Sequence, residues 1–375
     1  MASITHILSL LHLILHISIT LTTSTPIIGV TINHHPPSIT PEQIASTITR
    51  FKIPAIRLPN PDPLLIRAFS YSSISLHLTI PNSLISSFSS NQSHAVSWLY
   101  SHVIPFYPRA NITSISVGSD ILSSMEDLSN DILPAIKNLH SALIEVGIKK
   151  IQVSTTFSIV PLLTSAFPPS SAEFAEPIND VIIKPLLDFL NEANSSLFVN
   201  VYPYNLFRLT NDLPLGYALF QEGNFNFRDD PNTGLRYRNL FNVMIDAVLS
   251  AMVVSGHENI PIIVTETGWP HSPGDEFGEE NDANEVFAEM YLKGLIDHLK
   301  SGIGTPLKKD SISEIYIFEL FDKEVNGSLS TRQWGILYPN ATMKYKIDFN
   351  GGSRIGICKG LLLFLAIWFM MIAFG

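Results

Sequence analysis

The feature that most constrains the fold of this chain is a repeating pattern of short apolar runs, each followed by a stretch with helical spacing. Eight runs are typical of strands: Ile27–Ile32, Ala55–Leu58, Ser75–Ile80, Ser114–Val117, Ile151–Thr155, Leu197–Tyr202, Pro261–Glu266 and Glu314–Leu320. Segments between them, such as Met125–Val146 and Ala283–Lys300, have the spacing of helices. Strands that alternate with helices predict βαβ units and a parallel sheet. Eight units in roughly 300 residues have the count and size of a (β/α)8 (TIM) barrel.

A doubly wound open sheet is the alternative architecture for the same pattern. Such sheets often bind nucleotides through a G-x-G-x-x-G or G-x-x-x-x-G-K turn after a strand. Neither turn follows any of the candidate strands, and no low-complexity linker divides the chain. We therefore predict an α/β fold with a single barrel domain over residues 25–350.

The N-terminal end is apolar enough to be a processing signal rather than a part of the fold. Residues 7–21 form an apolar run, and no Lys or Arg precedes Arg50. The run is too short to span a membrane and has the length of the apolar region of a secretory signal. We predict a signal peptide over residues 1–24. A buried N-terminal helix is the alternative, because the basic residues that usually precede such a run are missing.

The C-terminal end has the order of parts of a GPI-attachment signal. Asn350 is followed by two glycines, then by a short spacer and a terminal apolar tail that starts at Gly360. A transmembrane anchor would need about 20 apolar residues and normally basic residues on its cytoplasmic side. We predict lipid attachment at Asn350, with residues 351–375 as the propeptide that is removed. The single cysteine, Cys358, would leave with the propeptide.

Composition narrows the expected partners. The chain has 33 acidic and 23 basic residues, which gives a formal charge of −10. This charge argues against nucleic acid as a partner, because nucleic acid is bound by basic surfaces. One cysteine excludes a disulfide scaffold and a cysteine-based zinc site. The pair His34-His35 predicts a loop rather than a metal site. Adjacent side chains on an extended segment point in opposite directions, so the two rings would not bind the same ion. We expect no nucleic acid, metal or organic cofactor. Five glycosylation sequons are compatible with secretion: Asn91, Asn111, Asn194, Asn326 and Asn340.

Two carboxylates stand at the ends of candidate strands, where the chemistry of a barrel is located. Glu266 ends the seventh run and Asp120 follows the fourth. Glycoside hydrolysis uses such a pair, one as acid/base and the other as nucleophile. Trp269, Tyr202 and Tyr204 offer rings that could stack on a sugar. From position alone, Glu266 could equally cap a helix or form a rim salt bridge, and the tyrosines could be ordinary rim packing.

The segment Ile263–Pro270 resembles the nucleophile signature of glycoside hydrolase family 17, the plant β-1,3-glucanases and their relatives. The likeness extends over nearly all of residues 25–350 and includes Ile28-Gly29-Val30, Val199–Tyr204 and Trp334-Gly335. It implies a (β/α)8 fold, a secreted location and retaining cleavage of β-1,3-glucan. It also implies that Glu266 is the nucleophile. Some plant members carry a GPI anchor, which agrees with the predicted tail.

The same resemblance shows departures at the sugar-facing ends of the strands. The family's acid/base is a Glu preceded by Asn, whereas this chain has Ser119-Asp120, so the carboxyl is one methylene shorter. A Tyr-Asp pair after the second strand is replaced by Pro59-Asn60. Near the end of the eighth strand, a Glu and a Lys that line the cleft are replaced by Lys323 and Asn326. We treat Ser119 and Lys323 as candidate substrate-binding residues.

The expected function is that of a glucan endo-1,3-β-glucosidase acting on cell-wall polysaccharide. We expect a monomer held at the outer face of the plasma membrane by its lipid anchor. The alternatives are a β-1,3-glucan-binding protein with little turnover and a transglycosylase. Retaining chemistry needs carboxyls about 5–5.5 Å apart, and a displacement of about 1 Å can cost roughly 10²-fold in rate. The position of the Asp120 carboxyl therefore decides between the enzyme and the binding protein. Glu126 is an alternative acid, but it lies further along the chain.

Overall fold

The computed structural model describes residues 26–124, 130–274, 281–310, 312–323 and 332–349. The predicted signal peptide, Asn350 with the predicted propeptide, the sequon Asn326 and the substitute acid Glu126 lie outside these ranges. Within them, no helix combines the length and the apolar character needed to cross a bilayer.

Eight parallel strands close into a barrel. They are β1 (Ile27–Thr31), β2 (Ala55–Leu58), β3 (Ser75–Ile80), β4 (Asn111–Ser119), β5 (Gln152–Ser158), β6 (Leu197–Asn200), β7 (Ile262–Thr267) and β8 (Ile312–Ile317). Each strand pairs with its neighbours in chain order, and β8 pairs with β1 to close the ring. The predicted (β/α)8 barrel is thus confirmed, and the doubly wound alternative is excluded.

Helices between the strands cover the outside of the barrel. They are α1 (Pro41–Arg50), α2 (Pro63–Ala68), α3 (Ile85–Ser90), α4 (Gln92–His102), α5 (Ile121–Ser124), α6 (Ile132–Glu145), α7 (Ile159–Leu162), α8 (Lys184–Glu192), α9 (Pro203–Leu209), α10 (Leu215–Ala218), α11 (Leu240–Val254) and α12 (Glu285–Ser301). Local sequence fixes several ends. Thr40 and Gln43 form a capping box at the start of α1, and Asn284 caps α12. Gly302, with a left-handed φ of 65°, ends α12.

Side chains fill the interior of the barrel, so the barrel is a packed core rather than a channel. An inner apolar cluster consists of Ala55, Phe198, Ile263 and Tyr316. His77 packs among these side chains, with its ring centroid 5.0 Å from that of Phe198, and its Nδ1 lies 2.8 Å from Ser114 Oγ. Because the interior is filled, the mouth at the C-terminal ends of the strands is where a ligand can bind.

Candidate active site

Asp120 lies just after β4, in a turn that its neighbours hold rigidly. Gly118 has a φ of 75° and Asp120 a φ of 52°, both in the left-handed region. A Cβ at Gly118 would come within 2.7 Å of Ile85 and 2.8 Å of Asn82, so this position needs glycine. The Asn82 side chain donates to the Ser119 carbonyl at 3.0 Å and accepts from the Ser119 amide at 2.9 Å. These contacts fix the backbone that carries the Asp120 carboxyl.

The Asp120 carboxyl accepts hydrogen bonds from the next two strands. Ser158 Oγ donates to Oδ1 at 2.7 Å, and Asn200 Nδ2 donates to Oδ2 at 2.8 Å. Burial raises the pKa of Asp120, the negative charge of Glu266 raises it further, and the two hydrogen bonds oppose the rise. A raised pKa keeps a carboxyl protonated to higher pH, as a general acid requires.

Glu266 lies on β7 and is held by two donors. Arg57 from β2 forms an ion pair with Oε1, and the Tyr202 hydroxyl donates to Oε2 at 2.6 Å. The Arg57 side chain is 1% exposed, whereas that of Glu266 is 13% exposed. Burial and the nearby Glu266 charge raise the pKa of Tyr202, so the phenol remains a donor. The carboxylate is therefore oriented by its partners and still accessible from the mouth.

Two chains of hydrogen bonds join the short segments that carry Asp120 and Glu266, and each chain includes one of the two carboxyls. On one side, Arg57 Nη2 lies 3.4 Å from the hydroxyl of Ser119, the residue before Asp120. On the other side, Thr265 Oγ1, one residue before Glu266, donates to Asn200 Oδ1 at 2.8 Å. The amide of the same Asn200 donates to Asp120. The structure thus brings the two predicted catalytic carboxyls into one network, with Ser119 and Tyr202 as members.

Sequence reasoning missed three residues whose side chains bond the two carboxyls directly: Arg57, Ser158 and Asn200. A signal existed for two of them. Arg57 is a charged residue within the buried strand β2, and a buried charge needs a partner of opposite sign. Asn200 is the last residue of the buried strand β6, where an amide points to a polar neighbour. Ser158 carried no signal, since serine is common along the whole chain.

Aromatic rings form one wall of the mouth. The ring centroid of Trp334 lies 5.2 Å from that of Tyr202 and 6.1 Å from that of Tyr204. Trp269, predicted to stack on a sugar, is 2% exposed and lies 5.0 Å from the Tyr204 ring. Its Nε1 donates to the Asp282 carbonyl at 2.8 Å. In this conformation Trp269 has no open face for a sugar, and it supports the aromatic wall from below.

The end of β8 brings a carboxyl that sequence reasoning did not single out. Glu319 is 3% exposed, and its Oε2 has no hydrogen-bond partner among the residues that the structure describes. Burial, followed by the charges of Asp322 and Glu266, raises the pKa of Glu319 to about 8. A hydrogen bond from the Asn33 side chain opposes this rise. Glu319 is therefore protonated at neutral pH. The resemblance implied the loss of a Glu near this end of the cleft, and a different Glu is buried there.

The other predicted site residues lie at the surface. Lys323 is exposed, and its backbone amide donates to Gln333 Oε1 at 3.1 Å. Four sequons are exposed: Asn91, Asn111, Asn194 and Asn340. In the ranges that the structure covers, no group of three or more His, Cys, Asp or Glu side chains could hold a metal ion.

A cavity of about 580 Å³, here called the side cavity, opens next to the carboxyl pair. The residues that line it include Ser158, Asn200, Tyr202, Tyr204, Arg208 and Arg332. Three of these also bond the carboxyl of Asp120 or Glu266, so the cavity is continuous with the site. Its volume lies in the range of sites that enclose a small ligand.

Comparison with known proteins gives a consistent result. The family model described as "Glycosyl hydrolases family 17" matches residues 28–349. Glucan endo-1,3-beta-glucosidase 13 of Arabidopsis thaliana is 36% identical over 319 residues, which is 84% of this chain and 62% of that protein. Glucan endo-1,3-beta-glucosidase 2 of the same plant is 38% identical over 317 residues, again 84% and 62%. The chain thus spans less than two thirds of the length of these relatives.

Solved structures agree with this result. The structure of CJP38, a beta-1,3-glucanase and allergen of Cryptomeria japonica pollen, superposes with a TM-score of 0.77. The two chains are 32% identical, and the match covers 86% of this chain and 98% of that one. One of two plant beta-glucan endohydrolases with distinct substrate specificities superposes with a TM-score of 0.76 at 27% identity, over 85% and 99% of the chains.

Proposed function

Because the chain belongs to glycosyl hydrolases family 17, we propose that it is a retaining endo-hydrolase of β-1,3-glucan. The observation that carries this proposal is the pair of carboxyls, Asp120 and Glu266, at the mouth of the barrel, on segments that hydrogen bonds hold together. The names of its relatives, glucan endo-1,3-beta-glucosidases, support the choice of substrate.

In the first step Glu266 attacks the anomeric carbon of the bound glucosyl unit. The bond from that carbon to the glycosidic oxygen breaks, and Asp120 gives its proton to the departing oxygen. Arg57 and Tyr202 hold the Glu266 carboxylate in one orientation, which favours attack along one line. A covalent glycosyl-enzyme results, with the sugar bound to a Glu266 oxygen.

In the second step a water molecule replaces the Glu266 oxygen at the anomeric carbon, and Asp120 accepts the proton of that water. The site favours this exchange of roles. The Glu266 charge raises the pKa of Asp120 before the attack. Once Glu266 is esterified its charge is gone, so the pKa of Asp120 falls and the group becomes a base.

A β-1,3-glucan-binding protein with little turnover is the second candidate. The observation that favours it is that both Asp120 oxygens already accept hydrogen bonds, from Ser158 and Asn200. The Asp side chain is also one methylene shorter than the Glu of the resemblance. A carboxyl that is held back at the wall would bind sugar without reaching the leaving oxygen.

Activity on a soluble β-1,3-glucan tests both candidates. The proteins are residues 25–350 of the parent, Asp120→Glu, Asp120→Asn and Glu266→Ala. The hydrolase should release reducing ends, and Glu266→Ala should lose on the order of 10⁴-fold in kcat. Should the parent be silent but bind laminari-oligosaccharides, with turnover gained in Asp120→Glu, the binding protein is the correct reading. Silence without binding in every variant would remove both.

We further propose that the protein is secreted as a glycosylated monomer and attached to the outer face of the plasma membrane by a GPI lipid at Asn350. The support is the order of small residues, spacer and apolar tail at the C-terminus. Expression of the full chain in plant cells tests it. Phosphatidylinositol-specific phospholipase C should release the protein from membranes, whereas a true transmembrane tail would stay bound.

A further inference from the structure

Two positively charged side chains line the side cavity, although the protein as a whole is acidic. Arg208 and Arg332 both line it, and none of the described residues that line it carries a carboxylate. The chain has a formal charge of −10. Guanidinium groups that line a cavity favour a ligand of opposite charge.

Arg208 is the group best placed to meet such a ligand. Its nearest acidic partner is Asp282, with Nη1 to Oδ2 at 3.8 Å, which is beyond hydrogen-bond distance. Both side chains are 29% exposed. By contrast, Arg236 donates twice to Asp229, at 2.7 and 2.8 Å. Among the described residues the Arg208 guanidinium makes no hydrogen bond, so its five N–H donors are available to a ligand.

Arg332 adds a second positive charge to the same cavity. Its guanidinium carbon lies 5.6 Å from the centroid of the Tyr204 ring. This cation–π contact holds the charge against the aromatic wall. Tyr204, predicted to stack on a sugar, is itself fully buried, so it supports the Arg332 guanidinium at the cavity rather than contacting a sugar.

A neutral sugar would not require this arrangement. Hydroxyl groups are satisfied by amides, and Asn200 and Asn205 already line the cavity. A planar guanidinium matches a carboxylate with two parallel hydrogen bonds, which are about twice as strong as neutral ones. The lining is therefore better matched to a sugar that carries a carboxylate than to an uncharged hexose.

We propose that the side cavity binds a glucan segment that carries a carboxylate, such as a uronic acid unit, and that Arg208 recognises the negative charge. The inference deepens the proposed function, since it rests on the β-1,3-glucan chain entering the same site. Arg208 is six residues beyond Tyr202, roughly 9 Å along the axis of α9. The charged unit would thus be a neighbour of the glucosyl unit that Glu266 attacks.

Binding calorimetry on a protein that cannot turn over tests the proposal. The full chain with Glu266→Gln is titrated with laminaripentaose and with the same pentasaccharide oxidised to a carboxylate at C6. We expect the charged sugar to bind about tenfold more tightly at low salt. Arg208→Gln should remove most of that preference and leave binding of the neutral sugar within about twofold. Arg208→Lys should keep a part of the preference for the charged sugar. High salt should weaken the binding of the charged sugar and leave that of the neutral sugar unchanged.

Arg67→Gln is the matched control, because it removes one positive charge from an exposed position of α2 outside the cavity. It should bind both sugars as the parent does. The proposal is overturned if the parent shows no preference for the charged sugar or binds neither sugar. It is also overturned if Arg208→Gln weakens the binding of both sugars equally. Hydrolysis of neutral laminarin by the unsubstituted chain is measured in parallel. A failure there would count against the hydrolase alone, because the charge preference does not depend on turnover.

Discussion

The two sides of the barrel mouth are built on different principles. On the side of β4 to β7, Asp120, Asn200 and Glu266 each have partners at hydrogen-bond distances. On the side of β8 and β1, Glu319 is buried with an oxygen that lacks a partner among the described residues. The first side holds its carboxyls in fixed orientations. The second holds a carboxylic acid that stays neutral only because ionisation there is unfavourable.

The difference teaches where this chain departs from its family without losing the fold. The connected side follows the motif of the resemblance at β6 and β7 and departs from it at Ser119-Asp120, whereas the departure at Lys323 lies near Glu319. Buried polar networks are stable when every member is satisfied, and an unsatisfied member costs free energy. We therefore expect substitutions on the connected side to reduce activity, and those on the Glu319 side to change stability.

The largest effect should come from removing the cation of the connected side. Arg57→Met would leave Glu266 without its ion pair and would break one of the two chains to Asp120. Breaking a buried ion pair by removing one partner typically costs about 3–5 kcal/mol of stability. We expect kcat on β-1,3-glucan to fall by about 10²–10³-fold, a loss like that of an electrostatic active-site donor. Steady-state kinetics measures the change in kcat, and thermal unfolding measures the change in stability.

The conservative control is Arg57→Lys, which keeps the charge but not the planar fork. It should restore part of the stability and less of the activity. An Arg57→Met enzyme with unchanged kcat would show that the ion pair serves the fold alone.

The next effect is on stability and belongs to the Glu319 side. The pKa of Glu319 is raised from 4.5 to about 8. Below pH 4.5 the group is protonated in both folded and unfolded chains and has no effect. As pH rises toward 8 the unfolded chain releases this proton first, so the folded state loses stability, and above pH 8 the loss is constant. Glu319→Gln cannot ionise and should be more stable than the parent by roughly 2–5 kcal/mol at pH 8.

Denaturant unfolding at pH 4, 6 and 8 checks this prediction. The difference between Glu319→Gln and the parent should grow with pH. Glu222→Gln, at an exposed position, is the control and should show a flat difference. A flat difference for Glu319→Gln as well would mean that its carboxyl is solvated in the folded protein.

Features of the fold and the site that depend on neighbouring residues in the sequence could be predicted, whereas contacts between residues far apart in the sequence could not. The eight strands were predicted because apolar runs and turns are local features of sequence; β6 ends at Asn200 rather than Tyr202 because Pro203 starts a helix there. The ion pair of Arg57 with Glu266 joins residues 209 positions apart. Such contacts depend on the register of the closed barrel, which no short motif encodes. For the same reason the burial of Trp269 was not foreseen.

A smaller effect should follow from loosening Asp120 alone. Asn200→Ala removes a hydrogen bond that lowers the pKa of Asp120, so that pKa should rise further. The alkaline limb of the pH profile of kcat/KM, which reports the acid of the free enzyme, should therefore move to higher pH. At the optimum we expect a loss of about tenfold, because one positioning hydrogen bond is worth about 1.5 kcal/mol. A shift to lower pH would contradict the assignment of Asp120 as the acid.

The smallest effect should be that of Lys323→Ala, the substitution that separates the two sides most cleanly. Lys323 is exposed, and its backbone, not its side chain, is held by Gln333. An exposed charge contributes about 0–1 kcal/mol, so KM and kcat should change by less than about threefold. Its positive charge lowers the pKa of Glu319, so that pKa should rise when the charge is removed. The stability difference between the Lys323→Ala protein and its Glu319→Gln derivative should then keep growing to a higher pH than in the parent. A tenfold rise in KM instead would make Lys323 a sugar ligand, as its position after β8 predicted, and would place substrate on the Glu319 side of the mouth.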